Sequence, residues 1–116
     1  MRRYSRRAGG ADRVMPRKLI VKGPTYFSQR DEDLFYQWLD SIPSVGSVGG
    51  KGYEVHIELK RQPSKADLRE LLALFFRYRM DMEPLAALKT ARNEEWFAGN
   101  EKAFWHRPVF GPKRKT

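Results

Sequence analysis

The chain has 116 residues, 41 % of them hydrophobic and 13 % aromatic, with 23 Lys and Arg against 14 Asp and Glu for a formal net charge of +9. That length is one small domain, and the apolar fraction is enough for a core, which excludes wholesale disorder. The absence of cysteine excludes disulfides, thiolate metal sites and cysteine nucleophiles, and no apolar run approaches the roughly 18 residues a membrane helix requires.

The charge is unevenly placed. Residues 1–18 hold seven basic side chains, Arg2, Arg3, Arg6, Arg7, Arg13, Arg17 and Lys18, against Asp12 alone. Residues 107–116 add Arg107, Lys113, Arg114 and Lys115 with no acid, and what lies between is close to neutral. The lead carries few sizeable apolar groups and no helical or strand period, and Gly9-Gly10 argues against an amphipathic targeting helix. The expected layout is a disordered basic arm over 1–16, one folded domain over 17–106 and a basic tail over 107–116, in a cytoplasmic setting and with no membrane partner.

Lys18-Leu-Ile-Val-Lys22, closed by Gly23-Pro24, predicts a first strand that Thr25-Tyr26-Phe27 extends past a bend. Ser28 then stands three residues before Asp31, with Glu32 and Asp33 following, which is a helix start with acids where the dipole favours them. Leu34, Phe35, Trp38, Leu39 and Ile42 make one apolar helical face, ended by Pro43. Residues 44–52 are rich in turn formers, and Tyr53 to Leu59 alternates strictly, so a hairpin is expected: a weak strand at 44–48, a turn at 49–52 and a strong strand at 53–60. In that strand Tyr53, Val55, Ile57 and Leu59 share the inner face.

Ser64 with Asp67 opens a second helix whose Leu68, Leu71, Leu72, Phe75 and Tyr78 form its stripe, widened by Leu74 and Phe76. Pro84 interrupts, Leu85 to Leu88 give a further helical turn or two, and two short helices are expected at 93–99 and 100–105, each capped by an Asn, the first closed by a left-handed Gly99. The order is that of an α+β fold, a small β-α-β-β-α body with ferredoxin-like order but no clear fourth strand, on which short C-terminal helices pack.

Chemistry-bearing clusters are few. Gly46 to Gly52 has neither the spacing nor the Ser/Thr and following helix of a phosphate-binding loop, and reads as a hairpin turn. Lys51-Gly52-Tyr53 opens like the RNA-recognition-motif consensus, but Glu54, His56 and Glu58 then stand on the solvent face, where two carboxylates repel phosphates. That Glu54-His56-Glu58 row is expected to be an ordinary polar sheet face, so no catalytic residue, metal or cofactor is assigned. With only two histidines and no nucleophile beside a base, the chain is not expected to be an enzyme.

The unusual feature is the aromatic end. Trp96, Phe97, Phe104, Trp105 and Phe110 sit on short helices that need a surface to pack against. Their bulk completes the core in place of a fourth strand, and those left outside are expected to bind an unidentified protein partner, making this a small adaptor-type protein. The alternative expectation is association with RNA or the ribosome through Arg2, Arg3, Arg6, Arg7, Arg13, Arg17, Lys18, Arg107, Lys113, Arg114 and Lys115. A glycine-loosened strand at 44–48 also offers a sheet edge for a homodimer.

Overall fold

The computed structural model describes residues 18–112, so the expectations for the basic arm and for the last four residues lie outside the described residues. Three antiparallel strands, β1 (Lys18–Lys22), β2 (Val45–Lys51) and β3 (Glu54–Leu59), form a sheet in the order β1-β3-β2. Helices α1 (Gln29–Ser41) and α2 (Lys65–Arg77) supply the opposing apolar surface. Strict alternation explains the layering: Leu19, Val21, Val55, Ile57 and Leu59 are buried against the helices, while Lys18, Ile20, Lys22 and Glu58 face away.

The hairpin differs from the expectation. β2 continues through Gly49 and Gly50 to Lys51, which pairs with Glu54, and a bulge falls between Val45 and Val48. The turn therefore shrinks to Gly52-Tyr53, with Gly52 at φ +60 as in a type II′ turn. Tyr53 is lifted out of the strand and is 84 % exposed, so it does not share the inner face with Val55. Gly50 does, opposite Val55, and a side chain there would meet the Tyr36 hydroxyl of α1 at 3.1 Å. Residues 25–27 are not a strand: Thr25 N–H donates instead to the Tyr78 carbonyl.

Both long helices begin as the Ser-x-x-Asp spacing predicts, Ser28 Oγ accepting from Asp31 N–H and Ser64 Oγ from Asp67 N–H. Neither carboxylate closes the box on its own serine. Asp31 accepts from the Phe27 N–H at 2.8 Å and the buried Asp67 from the Ser44 N–H at 3.1 Å, so each ties down the chain that precedes or flanks its helix. Leu34 and Phe76 leave the expected faces for solvent, since Phe35 and Phe75, each about 100° away on the same helix, take the core positions.

After α2 the described residues contain no fourth strand. A 3-10 helix (Glu83–Leu88) packs against β1, followed by α3 (Glu94–Phe97) and α4 (His106–Phe110), the latter packed on the 3-10 helix. Residues 100–105 form turns, so the second Asn-capped helix is not formed and its place is taken by α4, which runs through the expected boundary at 106 and buries Val109. Asn93 does not cap α3: its side chain is buried, accepting from Thr90 N–H and donating to the Leu88 carbonyl. Gly99 is not left-handed; glycine suits it because a Cβ would lie 2.8 Å from the Glu95 carbonyl oxygen. Helices of four and five residues hold no shape alone, and buried side-chain-to-backbone bonds such as Trp105 Nε1 to the Phe97 carbonyl at 2.8 Å fix them instead. Among the described residues no helix is long and apolar enough to cross a membrane.

Candidate functional site

An open groove of about 790 Å³ runs between α1 and α2 and is continued by the C-terminal wrap. Phe27 and Trp38 come from the α1 side, Ala73, Phe76 and Arg77 from α2, Arg79 from the residues after it, and Phe104 from the wrap. Of the six large apolar side chains exposed among the described residues, three meet here: Phe27 at 75 %, Phe76 at 51 % and Phe104 at 47 %. Exposed apolar groups scattered singly need no explanation, whereas this convergence forms a patch.

Each wall has contacts that position it. Phe76 and Phe104 pack edge to face at 4.9 Å, and Phe104 leans on the buried Trp105 at 5.1 Å. Trp38 is fixed across the groove by its indole N–H, which donates to Glu70 at 2.8 Å. Phe27 is held by its backbone, through the Asp31 carboxylate, and its ring is covered on one face by the Arg79 guanidinium at 5.6 Å. Beneath lies a cluster in which Phe35 touches Tyr26, Tyr36 and Tyr78 edge to face. Burial pushes the Tyr26 phenol above its ordinary value, helped by its hydrogen bond with Tyr36, and burial likewise raises Tyr78, with the Asp31 charge adding to it.

Arg79 is a backbone exception. It is left-handed at φ +59, the one non-glycine in that region among the described residues. Its N–H donates to the Phe76 carbonyl and the Met80 N–H to the Phe75 carbonyl, the Schellman pair that ends a helix with glycine at this place. Holding an arginine there costs about 1 kcal/mol relative to an ordinary conformation.

The residues singled out in the sequence are scattered by the fold. Phe97 and Trp105 are in the core, Trp96 and Phe110 are half-buried beside it, and Phe104 alone of the five lines the groove. Of the basic set, Lys18 and Arg107 are exposed and the others lie outside the described residues. On the outer sheet face His56 contacts Glu54 at 3.1 Å while Glu58 accepts from Ser47 Oγ, and no group of three or more His, Asp or Glu that could hold a metal occurs among the described residues.

Sequence reasoning missed Phe27, Trp38, Phe76, Arg77 and Arg79 as a site, although two signals were present. Adjacent Phe75 and Phe76 cannot both face one core from a helix. Phe27 stands where a residue before the cap packs on an apolar partner in the first turn, but that partner position is Glu32, which leaves the ring without its apolar partner. Compared with protein-family models, curated proteins and solved structures, the chain gives no significant match.

Proposed function

We propose that this chain is a small non-catalytic binding protein that docks a protein partner in the aromatic groove between α1 and α2, with Phe104 of the C-terminal wrap as its third wall. The observation that carries the reading is the meeting of Phe27, Phe76 and Phe104, three half- to mostly exposed aromatics, on one surface with Trp38 and two arginines. Rigid aromatic and arginine side chains supply most of the energy at protein interfaces, and a groove between two helices suits an amphipathic helix laid into it. Quantitative co-purification tests this. A stoichiometric protein recovered with the full chain is lost with Phe76→Ser and retained with Ile20→Ser, which changes an exposed residue on the outer face of the sheet. Equal recovery with both variants, or no stoichiometric protein with the unaltered chain, overturns the proposal.

A second reading has its own observation. The excess positive charge sits at the two ends of the sequence, in an arrangement that suits non-specific binding to RNA. RNA affinity compared between the full chain and residues 18–112 over a salt series separates the two. Equal affinity removes the ends from consideration.

A further inference from the structure

We infer that the occupant of the α1–α2 groove is an acidic segment of the partner protein, one that inserts a bulky apolar side chain beside Phe76 and Phe104 and sets carboxylates on Arg77 and Arg79. The inference rests on the docking reading above and adds the chemistry of the partner.

Charge complementarity is the first ground. Neither Arg77 nor Arg79 has an ion pair among the described residues, while the one carboxylate of the lining, Asp31, already accepts the Phe27 N–H at 2.8 Å. Glu70 at the rim is likewise taken by the Trp38 indole. Beyond Arg79 the surface runs into a second hollow with Lys22 and Lys51, whose acids are also engaged, Glu54 with His56 and Asp81 with the Glu83 N–H. Within the groove lining itself two arginines stand against the single carboxylate of Asp31, so the lining carries a net positive charge that a partner's carboxylates complement.

The second ground is Arg79 itself. A glycine would end α2 at this place without strain, yet an arginine is held left-handed with its guanidinium against Phe27 at the groove mouth. Backbone strain of this kind collects where a side chain is needed for a contact. The sequence before Lys18 and after Pro112 is strongly basic, a charge that the two arginines of the groove repel rather than attract. The same excess charge draws an acidic protein toward the surface.

The test uses a phage-displayed library of random peptides selected on the full chain, with the enriched sequences made as fluorescent peptides and titrated by polarisation. The expected peptides carry Asp or Glu within one helical turn of Trp, Phe or Leu. Their binding falls about tenfold or more with the Arg77→Glu/Arg79→Glu pair. The same peptides with their acids changed to Lys bind that pair better than the unaltered protein. Arg79→Gly, which removes the guanidinium together with the strain, binds severalfold more weakly while its melting temperature is unchanged or a few degrees higher than that of the unaltered chain, so lost contact is separated from lost folding. Enriched peptides that are neutral or basic, yet depend on Phe76, overturn the acidic partner and leave the docking groove standing. No enrichment, or peptides indifferent to Phe76→Ala, overturns both. A short single-stranded uridine oligonucleotide that binds with dependence on Phe76, or a Phe76-dependent dimer in solution, overturns the inference in favour of nucleic acid or a second copy.

Discussion

Replacing Asn93 with alanine is the sharpest test of how the C-terminal wrap holds together. The Asn93 amide is buried, with Oδ1 accepting from Thr90 N–H at 2.8 Å and Nδ2 donating to the Leu88 carbonyl at 3.1 Å. It thereby ties the end of the 3-10 helix to the start of α3. Each lost bond is worth about 1 kcal/mol, and stranding the Thr90 N–H adds up to about another, since the Leu88 carbonyl alone keeps a long contact from Gln62. The expected loss is about 2–3 kcal/mol, or roughly 10–20 °C in melting temperature for a domain of this size. Urea unfolding followed by tryptophan fluorescence reads it directly, because Trp96 and Trp105 both lie in the wrap. Asn93→Asp sharpens the test: it keeps the acceptor for Thr90 but turns a second oxygen toward the Leu88 carbonyl. That repulsion raises the pKa of the new carboxyl above the unfolded value of about 3.9. Its deficit is therefore smallest below that pH, where the group is protonated in both states, and grows as pH rises through the folded-state value. An alanine variant within about 0.5 kcal/mol of the parent refutes the assignment of Asn93 as the tie.

Three other outcomes follow from the same structure. Trp105→Phe removes the donor to the buried Phe97 carbonyl as well as volume, and costs about 2 kcal/mol in chemical denaturation, whereas Phe104→Ala, on the exposed side of the same wrap, costs under about 1 kcal/mol. Gly52→Ala places a Cβ in open space but forces φ +60 on a side-chain-bearing residue, so its loss of about 1 kcal/mol measures backbone strain alone. With Tyr26 and Tyr78 raised by burial in the folded protein, their contribution to stability is complete below pH of about 10 and is lost as pH climbs above it, when the unfolded chain ionises first. Ultraviolet titration shows these two tyrosines ionising after the others or together with alkaline unfolding.

Local rules made the body legible. Alternation placed Val55, Ile57 and Leu59 inward, the Ser-x-x-Asp spacing located both helix starts to the residue, and the absence of a fourth strand after α2 among the described residues could be read directly. Glycine hid the rest of β2, because Gly49 and Gly50 owe their strand geometry to pairing with His56 and Val55 rather than to any preference of their own. Asn93 and Asn100 offered the same side chain for a cap or for a turn, and only burial under the wrap decides that Asn93 bonds to Thr90 and Leu88. The groove was harder still. It is made by Phe27, Trp38, Phe76 and Phe104, from four separate stretches of chain; Trp38 belongs to the α1 core stripe and is half-buried there, and Phe76 turns outward because its neighbour Phe75 takes the core position.

The proposed docking seats a partner on Phe76. A photo-crosslinking benzoylphenylalanine introduced at position 76, and separately at Glu58 on the outer face of the sheet, tests it in the cells that make the protein. Docking in the groove gives one discrete adduct from position 76, suppressed by Phe104→Ala, and none from position 58. Absence of an adduct at 76, or the same adduct from both positions, contradicts it.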